Sequence, residues 1–160
     1  MIHDLALVDE KASLGEGCRV AAFAVVKAGV VLGEKVVVDH HAVIGGEPQD
    51  LKFDPSTPSG VEVGAGSVLR EGVTIHRATK SGVNTLVGKN CLLMVNSHVG
   101  HDSVLGDNVI MANGALIAGH VTVGGNAFVS GNVVVHQHVR IGEGCIISGG
   151  SRVGLDVPPY

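Results

Sequence analysis

The chain has 160 residues and a net charge of −4, and its 45% hydrophobic content includes only 2% aromatics and no tryptophan. One domain of this length can bury a core, but here that core must be made of small branched side chains. The acidic balance, with a pI near 6.1 and no Lys/Arg cluster, argues against nucleic acid or an anionic membrane surface as main partner, and no 18-residue apolar run offers a membrane span.

Met1 to Leu5 contains no basic stretch leading into an apolar one, so no signal peptide is expected and the cytoplasm is the default compartment. From Val8 an apolar residue recurs every sixth position: Val8, Leu14, Val20, Val26, Leu32, Val38 and Ile44. The series resumes at Val63, Leu69 and Ile75, then runs without a gap from Val87 through Leu93, Val99, Leu105, Met111, Ile117, Val123, Val129, Val135, Ile141 and Ile147 to Val153. Two residues before these positions the side chain is small or β-branched, as at Ala24, Ser67, Cys91, Ser97, Ser103, Ala115 and Ala127, and glycine often follows them. On a strand, residues i and i−2 share a face, and glycine permits a sharp bend, so six residues make one short strand and one corner. Three corners close a triangular coil, and successive coils pair as parallel strands about 4.8 Å apart. The expected fold is all-β: a parallel β-helix of hexapeptide repeats, about seven triangular coils in a single domain over residues 1–160.

Two interruptions are expected to leave the prism as loops, near 46–60 and 78–84. From Ile44 to Val63 is 19 residues, one out of phase with the sixes, and the stretch carries Pro48, Pro55 and Pro58. It also holds Gln49-Asp50-Leu51-Lys52, a compact polar group suited to a ligand. The second interruption follows Thr74-Ile75-His76-Arg77 and keeps phase. The cysteines, Cys18, Cys91 and Cys145, occupy small core positions and are expected to be free and inert.

Chemistry centres on Asn96-Ser97-His98-Val99-Gly100-His101-Asp102. A histidine titrates near neutrality and can accept a hydroxyl proton, while an adjacent carboxylate fixes its tautomer and stabilises the imidazolium. Wrapped on an 18-residue coil, His101 falls in the column of Gly119 and Gln137, and His120 in the column of Asp102 and His138. His101, Asp102, His120, His136, Gln137 and His138 therefore gather along one edge over three coils. Gly119 would leave a backbone N–H open there, as a donor to a developing oxyanion.

The repeat, with Gln49-Asp50-Leu51-Lys52, Thr74-Ile75-His76-Arg77-Ala78-Thr79, Leu92 to Asp102, Ala118-Gly119-His120-Val121, Val135-His136-Gln137 and Asp156-Val157-Pro158-Pro159-Tyr160, closely resembles the acyl-(acyl-carrier-protein)–UDP-N-acetylglucosamine O-acyltransferases, which begin lipid A synthesis. Handedness rests on this resemblance, which implies a left-handed β-helix although general crossover rules favour the right hand. It further implies a homotrimer with sites in clefts between prisms, taking a 3-hydroxyacyl group from acyl carrier protein to the 3-hydroxyl of UDP-N-acetylglucosamine. His101 then matches the general base, Asp102 its helper and Gly119 the oxyanion donor. Asp50, Lys52, His98, His120, His136 and Gln137 match positions that contact substrate, and Gly149 the position that measures acyl length. No metal and no bound cofactor is implied.

Relative to that family the chain starts about one coil late, has His138 where an aromatic is common and Gly100 where alanine is usual. It stops at Tyr160, where the family continues into further coils and a C-terminal helical domain, expected here to be absent. The competing readings are a non-catalytic trimeric scaffold, a γ-type carbonic anhydrase holding zinc through a cluster such as His98, His101 and His120, and an N-acyltransferase acting later in lipid A synthesis. Zinc content separates the second, while His-x-x-His-Asp with Thr-Ile-His-Arg favours O-acyl over N-acyl transfer.

Overall fold

A computed structural model describes residues 1–160. Its 22 strands, none longer than four residues, run from Leu7–Val8 to Arg152–Val153 with no helix between them. They stack into three parallel sheets of eight, seven and seven strands, the three faces of a left-handed triangular prism. The first face begins with Leu7–Val8, the second with Ser13–Leu14 and the third with Arg19–Val20.

Each strand shows how the six-residue unit works. Ala115 and Ile117 are both fully buried, while Leu116 between them is 41% exposed, because alternate side chains leave opposite sides of a strand. Strands one coil apart pair in register, as in His98 with Leu116 and Val99 with Ile117. Hydrogen bonds such as His98 N–H to Ala115 O and Gly100 N–H to Ile117 O, both 2.9 Å, satisfy the backbone. Inside the prism Leu32, Ile44, Leu69, Ile75, Leu93, Leu105, Met111, Ile117 and Ile141 form the fully buried column that the period of six defines. Truncating one of these to alanine costs about 2–5 kcal/mol, because neighbouring coils cannot close the cavity. Cys18, Cys91 and Cys145 are buried and free, and burial pushes the Cys91 thiol above its ordinary range.

The interruptions resolve in the same terms. Leu32 pairs with Val63, 31 positions on, where a regular coil advances 18, so the coil carries 13 extra residues. Twelve are two lost repeats, and the odd one sits in a bulge: Ile44 pairs with Ile75 but Gly46 with His76, which leaves Gly45 unpaired at φ 87°. The second interruption, between Val63 and its partner Val87, adds six and keeps phase. Both loops, 47–59 and 77–83, leave the first face and return to the second. They therefore stand on one edge of the prism, the edge that carries His101, Asp102 and His120.

Candidate active site

At each coil this edge turns through a residue in the left-handed region, and in three successive coils that residue is Asp102 (φ 59°), His120 (φ 60°) and His138 (φ 67°). The turn throws their side chains outward in a row. His120 stacks on His138, with ring centroids 4.7 Å apart, and meets His101 edge-on at 5.1 Å. His101 Nδ1 and Asp102 Oδ2 share a 2.7 Å hydrogen bond, and the pair is largely enclosed, with 17% and 8% of the side chains exposed. His120 Nε2 lies 3.8 Å from the same carboxylate oxygen.

The carboxylate is held from the second loop. Thr79 donates its backbone N–H to Asp102 Oδ1 at 3.1 Å and its hydroxyl to Oδ2 at 2.8 Å, while the Asp102 N–H donates to Thr85 Oγ1. Burial pushes the Asp102 carboxyl up, but the hydrogen bonds from His101 and Thr79 outweigh it, so the group sits below its ordinary value and stays ionised. His120 is moved down, first by burial and then by the cationic forms of its neighbours, against the pull of Asp102. The edge thus sets one fixed, ionised carboxylate against a row of imidazole rings, and an imidazole nitrogen in its neutral form can accept a proton.

Gly119 lies against the His101 ring: a Cβ there would fall 2.6 Å from both Cε1 and Nε2 of the imidazole. Only glycine lets the ring lie flat on the corner. The Gly119 N–H donates to no backbone acceptor. Gly100 is equally constrained, since a Cβ would stand 2.4 Å from the Ala118 carbonyl carbon.

Over the row folds the first loop. A cavity of about 390 Å³ is lined by Gln49, Asp50, Leu51 and Lys52 of the loop and by His101, His120, Gln137 and His138 of the edge. Asp50 closes a tight turn by accepting the Lys52 N–H at 2.9 Å. A cleft of similar volume at the first coil, lined by residues such as Ile2, Val20, Val38 and His40, is mainly apolar and far from the histidine row.

Three expected site residues lie outside the cluster. His136 is exposed and its Nδ1 faces the Gln137 carbonyl oxygen, because it stands in the column of Gly100 and Ala118, one residue short of the corner. It stands on the same edge of the prism and flanks the histidine row. His98 projects from the first face, shares a 2.7 Å hydrogen bond with Thr74 Oγ1 and packs edge-on against His76 at 4.6 Å. Burial and the neighbouring imidazoliums push His76 down to about 4, and burial, then His101, lowers His98. Gly149 lies on a different edge, between the third and first faces, where a Cβ would meet nothing closer than Gly131 O at 3.4 Å. The donor atoms close enough to share a metal ion, within 4.8 Å, belong to His101, Asp102 and His120. His98 is not among them; its ring is hydrogen-bonded to Thr74. Sequence reasoning named neither Thr79, Thr85 and Thr74 nor His76 and Arg77 as parts of the site. The signal that existed for Thr74, His76, Arg77 and Thr79 was their place in one short motif that leads into the second loop; Thr85 lies beyond it.

These features define a class: a parallel β-helix of hexapeptide coils with a histidine–carboxylate cluster on one edge. Residues 84–119 match the bacterial transferase hexapeptide (six repeats) family. An acyl-(acyl-carrier-protein)–UDP-N-acetylglucosamine O-acyltransferase of Campylobacter lari is 39% identical over 99% of this chain and 68% of its own length. The protein of that name from Agrobacterium fabrum is 41% identical over 98% and 58%. The crystal structure of LpxA, a UDP-N-acetylglucosamine acyltransferase from Bacteroides fragilis, superposes with a TM-score of 0.92 at 35% identity, covering 100% of this chain and 69% of that one. The chain belongs to the acyl-(acyl-carrier-protein)–UDP-N-acetylglucosamine O-acyltransferase family.

Proposed function

We propose that the protein transfers a 3-hydroxyacyl group from acyl carrier protein to the 3-hydroxyl of UDP-N-acetylglucosamine, the opening step of lipid A synthesis, with His101 as general base. The observation that carries this reading is the His101–Asp102 hydrogen bond at 2.7 Å, set against a glycine whose N–H is free and beneath a loop bearing Asp50 and Lys52. His101 takes the proton of the sugar hydroxyl, and Asp102 stabilises the imidazolium. The oxygen attacks the thioester carbonyl, and the Gly119 N–H receives the oxyanion. Collapse breaks the carbon–sulfur bond, and the departing pantetheine thiolate takes the proton back from His101. General-base assistance supplies about 10²–10⁴-fold and one oxyanion donor about 10²–10³-fold. Asp50, Lys52, His98, His120, His136 and Gln137 contact the sugar nucleotide or acyl group, and Gly149 sets acyl length.

The active assembly in this reading is a homotrimer in the cytoplasm. Beyond Arg19, the outward residues of the third face, Val37, Val68, Leu92, Ile110, Phe128 and Ile146, form an unbroken apolar stripe that supports self-association. A monomer in sedimentation removes that part of the proposal. The central test measures transfer from 3-hydroxyacyl carrier proteins to UDP-N-acetylglucosamine by this chain and by His101→Ala. Turnover that falls about 10²–10⁴-fold with an unchanged melting temperature supports the base; an unaffected rate refutes it. Sugar-nucleotide binding without turnover in the parent chain identifies a non-catalytic scaffold.

A further inference from the structure

Three consecutive residues, Arg77, Ala78 and Thr79, touch both the first loop and the Asp102 carboxylate. Arg77 faces the first loop with both terminal nitrogens of its guanidinium: Nη1 donates to Thr57 O at 2.7 Å and Nη2 to Pro55 O at 2.8 Å, Cζ lies 4.8 Å from the Phe53 ring centroid, and Glu47 is 3.9 Å away. Its side chain is only 14% exposed although it belongs to a surface loop. Ala78 continues the contact, donating its N–H to Gly60 O and accepting the Ser59 hydroxyl. Thr79 faces the other way and holds the Asp102 carboxylate through two donors.

We infer that Arg77 and Thr79 are positioning residues, the two arms of a bracket that fixes the 47–59 loop against the His101–Asp102 pair. The inference rests on the acyltransferase reading for what the site binds, and on the geometry alone for the bracket. The loop has no strand or helix of its own, so ordering it costs backbone entropy, and its few internal bonds are short-range turns at Asp50 and Asp54. Arg77 ties it down at Phe53, Pro55 and Thr57, which shortens the free segment to the part that carries Asp50 and Lys52. A planar fork can reach two carbonyls and lie over a ring at once; an ammonium on a flexible stem cannot. Across the bracket the Thr79 hydroxyl helps hold the carboxylate that orients His101. The two arms therefore act on different parameters. Arg77 governs how well the sugar nucleotide is held, and Thr79 governs how well the base is aimed.

The test uses the full chain and three readouts: KM and kcat for acyl transfer, calorimetric binding of UDP-N-acetylglucosamine, and amide hydrogen exchange across 47–59 without substrate. Arg77→Met is expected to raise KM and the dissociation constant for the sugar nucleotide about tenfold, with kcat changed less than about threefold and faster exchange in the loop. Arg77→Lys is expected not to recover loop protection. Thr79→Val is expected to lower kcat about tenfold with sugar-nucleotide binding unchanged, and Thr79→Ser to restore it. Equal losses in kcat and KM for both variants, or wild-type exchange across 47–59 in Arg77→Met, overturn the bracket. Absence of turnover in the parent chain overturns the acyltransferase reading instead, and the exchange experiment still decides the bracket.

Discussion

The three edges of the prism share one backbone and differ in one column of residues. In the coils from Val87 onward, the left-handed corner position between the second and third faces is held by Asn90, Asn108, Asn126 and Gly144, and between the third and first by Asn96, Gly114, Asn132 and Gly150. Between the first and second it is held by Asp102, His120 and His138, at the same φ. Asparagine and glycine adopt this conformation easily, and the asparagines also bond along their own column, Asn108 to Asn126 and Asn126 to Glu143. Such corners are closed upon themselves. On the histidine edge the same turn aims titratable groups outward, and both loop insertions rise beside them. Geometry is thus common to all three edges, and chemistry is placed by residue identity on one.

The largest effect that sharpens this comparison comes from Gly119→Ala. A new Cβ 2.6 Å from the His101 ring must displace the imidazole, and misplacement of a base by about 1 Å costs on the order of 10²-fold in turnover. Retained activity there would mean that His101 is not held by the corner. Next, residues are exchanged between edges. His120→Asn is expected to leave stability within about 0.5 kcal/mol, since asparagine suits the turn, while turnover falls on the order of tenfold as a polar contact in the cavity is lost. The reverse change, Asn126→His, is expected to alter neither stability nor activity, because no loop covers that edge; a gain or loss of turnover breaks the comparison.

Inside the corners two serines provide a smaller contrast. Ser103, under the histidine edge, donates to Ala118 O at 3.0 Å and accepts the Val121 N–H, whereas the buried Ser97 hydroxyl, under the edge between the third and first faces, has no partner. Ser103→Ala is therefore expected to cost about 1 kcal/mol in chemical denaturation and Ser97→Ala to be neutral or stabilising. The smallest effect is a slope with pH. His76 is neutral in the fold down to about pH 4 against 6.5 for the free side chain, so between these values the unfolded chain binds the extra proton. This contribution to stability is fully present above pH 6.5 and is lost as pH falls toward 4. His98 and His120 act in the same direction. The melting temperature should decline from pH 7 to pH 5, and His76→Asn should flatten that decline; an unchanged slope refutes the assignment.

Much of this was legible in the residues alone. A period of six with small residues at i−2 defines which side chains enter the prism, because alternation along a strand and closure after three corners leave no second solution. The same periodicity placed His101, Asp102, Gly119, His120, Gln137 and His138 on one edge, and the single residue out of phase before Val63 announced the bulge now seen at Gly45. His136 shows the limit: it shares the edge yet does not line the cavity of the single chain, and periodicity counts coils more securely than it aims side chains.

What only the tertiary structure decided lies in the two loops. That Thr79 reaches Asp102, that Arg77 grips Pro55 and Thr57, and that Gln49 to Lys52 fold back over the histidine row depend on contacts between aperiodic segments 20 or more positions apart. A repeat encodes its fold because each coil meets the same neighbours under the same constraint. A loop meets its partners once, and the side-chain-to-backbone bonds that settle its shape leave no period behind in the sequence.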